Sequence, residues 1–175
     1  MAEEQRTFLR IPTNLRGRMR LVASENELQL FREAPFASSS VTSAELKNAG
    51  LSDALITALQ TMDHKLDMLV GIHTQDSLQV DFPLMAEVLE ISGAGVKLVS
   101  SSPLAVDQIV ELVVTLTQLP VRMAGAIGRV MRGEELDGRQ VMAVDFTRIR
   151  DRDLESIVQF VFQTQRDELR VRKWE

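Results

Sequence analysis

The sequence contains no cysteine, which excludes disulfides and thiolate chemistry. It has no apolar run of about 18 residues, so no membrane-spanning helix is expected. Its first ten residues, MAEEQRTFLR, carry charge where a secretory signal would be apolar, and a cytoplasmic location is expected. Aromatics are scarce: seven Phe, one Trp and no Tyr, without a base-stacking pattern. With a net charge of −5, that scarcity argues against a DNA or RNA partner, which needs a basic face over many phosphates. Only two histidines occur, His64 and His73, and at about 100° per residue they face different directions on a helix. No P-loop, no nucleophile beside a base and no metal-ligand set is found. An enzyme, a metal site and a resident cofactor are therefore not expected.

What the chain does hold is arginine at its start. Arg6, Arg10, Arg16, Arg18 and Arg20 lie in the first 20 residues of an acidic protein. Arginine suits bidentate recognition of phosphate and of guanine edges. Few well-placed arginines serve a small anion, whereas a long polyanion needs many. Residues 1–12 are expected to be a mobile arm, because Pro12 and Thr13-Asn14 discourage a helix. GRMRLV at 17–22 alternates and predicts a strand with Arg16, Arg18 and Arg20 on one face. A Pro/Ser-rich linker follows at 34–43.

The segment 43–75 reads as a helical insertion. SAELKNAG predicts a short helix closed by Gly50. Ser52 is an N-cap, and Asp53 favours the first turn of the helix that follows. Leu55, Leu59, Met62, Leu66 and Leu69 recur at steps of four and three, the spacing of a coiled-coil seam. Over 52–73 that helix would run about 33 Å, and His73 falls on the seam register at its expected end. Such a stripe is either the face a helix buries on its own domain or a seam that joins copies into a homo-oligomer through the inserted helix, the reading that the resemblance described below supports.

From residue 84 to 147 the period becomes two. MAEVLEIS and GVKLVS predict a hairpin across Ser92–Gly95, and IVELVVTLT predicts a further strand. PVRMAGAIGRVMR is a long strand whose Gly125 and Gly128 suggest bends. Asp137-Gly138 is a two-residue hairpin turn leading to RQVMAVDF. The chain closes with an amphipathic helix over 151–171, with Leu154, Ile157, Val158 and Val161 on one face. In the hairpin motif EISGAG, Glu90 and Ser92 could meet a polar ligand, while Gly93 and Gly95 allow positive φ and close backbone approach.

RTFLRIP followed by EISGAG, strands and a C-terminal helix resembles the PilZ domain, over residues 5–22 and 84–170. Arg6 and Arg10 match that family's RxxxR, and Ser92 and Gly95 match its [D/N]xSxxG. The resemblance implies an α+β fold: a six-stranded antiparallel β-barrel with a helical insertion and a C-terminal helix. It also implies a bacterial receptor for cyclic di-GMP, the ligand being held by Arg6, Arg10, Glu90, Ser92, Gly93 and Gly95. Such a receptor signals through a protein partner in motility, pili, biofilm or virulence control. Two features depart from the pattern. Glu90 stands where the family has Asp or Asn, and the heptad-bearing insertion resembles the atypical, oligomerising branch. That branch supplies the alternative, a ligand-free oligomeric scaffold.

Overall fold

The computed structural model describes residues 8–32 and 41–172. Arg6 and most of the Pro/Ser-rich linker lie outside the described residues. Six strands, β1 (Arg10–Val22), β2 (Leu84–Ser92), β3 (Gly95–Ser100), β4 (Ile109–Gln118), β5 (Val121–Leu136) and β6 (Arg139–Ile149), form a closed antiparallel barrel in the order β1-β2-β3-β6-β5-β4. Helices α1 (Ser43–Asn48) and α2 (Asp53–Asp81) are inserted between β1 and β2, and α3 (Asp151–Arg172) ends the described chain.

Alternation dictates the barrel interior. Met19, Val88, Leu98, Leu112 and Val130 point inward and are fully or almost fully buried. Ile157 and Val161 of α3 join that core, as their helical spacing predicts. Asp137 and Gly138 both take positive φ, 51° and 74°, as the two-residue hairpin requires. The register shifts between Ile127 and Gly128, so Gly128 does mark an irregularity in the strand.

Two boundaries and one backbone conformation differ from expectation. First, β1 begins at Arg10, so the last three residues of the expected arm are strand, with Ile11 facing Ile91 and Pro12 facing Glu90. Pro12 is accommodated because the ladder skips between Pro12 and Leu15, and a proline tolerates such an irregularity. Thr13 fills it by donating its hydroxyl hydrogen to the Val88 carbonyl at 2.8 Å. Second, α2 continues to Asp81, past both the expected helix end at His73 and the expected insertion limit at 75. Its final turn is held by Phe82, which packs with Phe31, Val113, Met123 and Leu78 on the outside of the barrel. Third, Gly93 and Gly95 are not among the described glycines with positive φ, so close approach alone accounts for them.

Arginine explains how the chain leaves β1. Glu111 on β4 is 0% exposed, yet both of its oxygens are satisfied. Oε2 accepts from Arg20 Nε at 2.6 Å, and Oε1 accepts from the Phe31 backbone N–H at 2.9 Å. Arg150 donates to the carbonyls of Phe31 and Gln29, and Arg148 to that of Asn26. Residues 25–31 are thereby strapped to the barrel, and Arg20 is a structural residue.

The start of α3 is anchored in a similar way. Asp153 is 5% exposed and accepts from the Gly125 backbone N–H at 3.0 Å. Burial pushes its carboxyl above the ordinary range, opposed by that hydrogen bond and by Arg150 and Arg152. A carboxyl raised in the folded state contributes stability below its unfolded value and loses it as pH rises through the folded value. Asp153→Asn, which mimics the protonated form, should raise the urea midpoint at neutral pH. The difference from wild type should vanish near pH 3, as measured by urea denaturation at both values.

Candidate functional site

The two sequence motifs meet at one corner of the barrel. Arg10 is the direct partner of Ser92 across β1–β2, and Pro12 is the partner of Glu90. Residues on a diagonal of such a pair lie on the same face. Arg10 therefore reaches Glu90, Nη1 to Oε1 at 3.6 Å, with 40% and 32% of the side chains exposed. An exposed pair of this kind contributes at most about 1 kcal/mol, so a stronger anion can displace Glu90 from Arg10.

Around this pair lies a charged outer face. Glu90 is the direct partner of Lys97 on β3, and Lys97 donates to Glu134 at 3.0 Å. Arg16 faces Glu87, which is bonded to Arg139, and the Arg139 hydrogen bond holds the Glu87 carboxyl below its usual range. Lys97 was missed in the sequence reading. Counting back from the Ser92–Gly95 turn aligns Glu90 with Lys97, so the register signal was present.

The hairpin is built by close contacts. Ser92 is 2% exposed; its hydroxyl accepts from Ala94 N–H at 3.2 Å and donates to the Gly95 carbonyl at 3.3 Å. Ser92 therefore shapes the turn. A Cβ on Gly95 would overlap the Val144 carbonyl oxygen of β6. A Cβ on Gly93 would stand 2.5 Å from the ring of Phe8, which rests on the turn. Phe8 and Leu9, Gly93, and Val158, Val161 and Phe162 of α3 enclose an apolar cavity of about 170 Å³. It is below the roughly 300 Å³ at which small-molecule pockets begin, and its lining does not suit a dianion. The polar outer face suits one better.

The structure thus brings Arg10, Glu90, Ser92, Gly93 and Gly95 together. The seam residues lie elsewhere: Leu55, Leu59, Met62, Leu66 and Leu69 stand on α2, between 40% and 63% exposed. No group of three or more His, Asp or Glu side chains able to hold a metal occurs among the described residues. No described helix is long and apolar enough to cross a membrane.

Residues 65–163 match the PilZ domain family. No curated protein matches the sequence. Among solved structures, the Bacillus subtilis inhibitor of motility MotI/DgrA is similar with a TM-score of 0.54 at 11% identity. That alignment covers 94% of this chain and 53% of the Bacillus protein, so the chain spans about half of its length. A pathogenic protein from Xanthomonas campestris, described as a new tetrameric PilZ domain self-assembled via an unusual helical bundle, is similar with a TM-score of 0.54 at 15% identity. There the alignment covers 94% of this chain and 92% of the other. At these identities the likeness concerns the fold.

The two glycines should separate on substitution. Gly95→Ala forces the β3 and β6 backbones apart and should cost about 1–3 kcal/mol in urea unfolding. Gly93→Ala meets only a side-chain ring among its close contacts and should cost less, as Phe8 can shift.

Proposed function

The chain belongs to the PilZ domain family, and from that premise we propose that it is a receptor for cyclic di-GMP that signals through a protein partner. The observation that carries this reading is the juxtaposition of Arg10 with the EISGAG hairpin on an exposed, charged barrel face. The Arg10 guanidinium offers two parallel N–H groups to a phosphate or to guanine O6 and N7. Arg6, four residues earlier, supplies the second guanidinium of the motif. Glu90 accepts from a guanine N–H once the ligand phosphate takes its place beside Arg10, and the Ser92–Gly95 turn, packed on Phe8 and β6, holds Glu90 in position. Ligand capture then alters the corner where the arm, the hairpin and α3 meet, which is the surface a partner would read. Control of motility is one candidate output, since a structural relative is a motility inhibitor.

Isothermal titration with cyclic di-GMP tests the reading. Wild type should bind at micromolar concentration or tighter. Arg10→Ala should lose at least about tenfold in affinity, a change of about 1.4 kcal/mol, with an unchanged urea midpoint. No heat and no thermal stabilisation at millimolar ligand would reject it.

A second reading is favoured by Glu90 in the Asp/Asn position and by its contact with Arg10: a scaffold that assembles without ligand. In both readings α2 joins copies of the chain into a homo-oligomer. Its exposed heptad stripe matches what a helical bundle buries, and the Xanthomonas relative is described as such a bundle. Leu59→Glu with Leu66→Glu should reduce the sedimentation mass to that of a monomer, with the barrel still folded.

A further inference from the structure

The stripe on α2 does not stop at its last leucine. Because the helix runs to Asp81, the alternation of four and three continues from Leu69 to His73, Asp76 and Val80. All three are exposed, Val80 at 82%. The barrel takes the other side of the helix. A Cβ on Gly71 would stand 2.8 Å from Val121 Cγ2, and Leu78, seven residues on, packs with Phe82 and its cluster. At about 100° per residue, Gly71 and Leu78 lie within about 20° of each other and roughly opposite the stripe. The barrel therefore leaves the stripe clear to its end.

We infer that, where α2 helices assemble, His73 and Asp76 from each copy converge on the axis and bind a divalent transition-metal ion such as zinc. The inference rests on the reading of α2 as the assembly helix. It requires parallel helices, and the sequence of the stripe favours them. An antiparallel overlap of the full stripe sets His73 against Met62 and Asp76 against Leu59. Each polar group would then lose water without gaining a partner. Parallel packing in register puts each residue level with its counterparts, the two layers about 4.5 Å apart along the helix. Val70 and Ile72, both exposed, widen the apolar face beside His73, as suits a bundle more than a narrow two-helix seam.

Imidazole nitrogen is a ligand for zinc and its neighbours. Three residues further on, the Asp76 carboxylate either completes the coordination or accepts the other ring N–H and orients the imidazole. The bound cation would also offset the gathered carboxylate charge. A single chain supplies too few ligands, in line with the lack of such a group among its described residues. The site exists only between copies.

The chain's two histidines make the test clean. The full chain, stripped with EDTA, is titrated with zinc chloride, and its sedimentation mass is measured with and without zinc. The expected result is fewer than one zinc per chain in wild type and in His64→Ala, with an assembly that resists dissociation better when zinc is present. His73→Ala should abolish the uptake, and Asp76→Asn should weaken it by roughly tenfold. An assembled protein that takes up no zinc, or whose His73→Ala variant binds it equally, overturns this inference and leaves the assembly reading standing. A monomer in both conditions overturns both.

Discussion

β1 is paired with β2 from Arg10 to Met19 and with β4 from Gly17 to Val22, so the barrel closes through it. Its first residues set Arg10 beside the EISGAG hairpin, and its last part carries Arg20 to the buried Glu111. Removing Arg20 would leave Glu111 buried without its ion pair, a loss of about 3–5 kcal/mol, and the Phe31 N–H satisfies its other oxygen. Through Phe31 the same interaction fixes the strap that leads to the insertion. The arginine-rich start of the chain therefore does two different jobs: Arg10 faces solvent at a candidate ligand site, and Arg20 holds the fold.

The inserted helix is amphipathic in an unusual sense. One face, through Gly71, Leu78 and the following Phe82, fastens it to the outside of β4 and β5. The opposite face presents Leu55 to Leu69 to solvent. A helix needs one apolar face to be held by its own domain. A second, longer one is what the proposed assembly would bury against a copy of the same stripe. The candidate ligand corner and α2 thus sit on different parts of one barrel, with β1 running between them.

Much of this was legible in the sequence because it is locally encoded. Asp137-Gly138 specifies a turn, Ser52 caps α2, and alternation marks the strands of the barrel. The spacing of Glu90, Ser92 and Gly95 survives folding because all three lie in one hairpin. What was not legible depends on distant partners. Residues 10–12 read as part of a mobile arm, yet they are strand, because an irregularity opposite β2 accommodates Pro12. The end of α2 was misplaced because Phe82 is anchored by Phe31 and Met123, far away in the chain. Of the two reasons the sequence offers for Gly95, positive φ and close approach, only the second holds, and the β6 backbone that approaches is in place only once β3 and β6 pair. Lys97 opposite Glu90 required only counting the hairpin register.

Cyclic di-GMP is proposed to seat at the corner formed by the start of β1 and the β2–β3 turn. Amide hydrogen exchange with and without saturating cyclic di-GMP tests it most directly. Exchange should slow at residues 8–11 and at Ser92–Gly95, with the β4–β5 side of the barrel unchanged. Equal exchange at both segments, or protection confined to another part of the molecule, would contradict it.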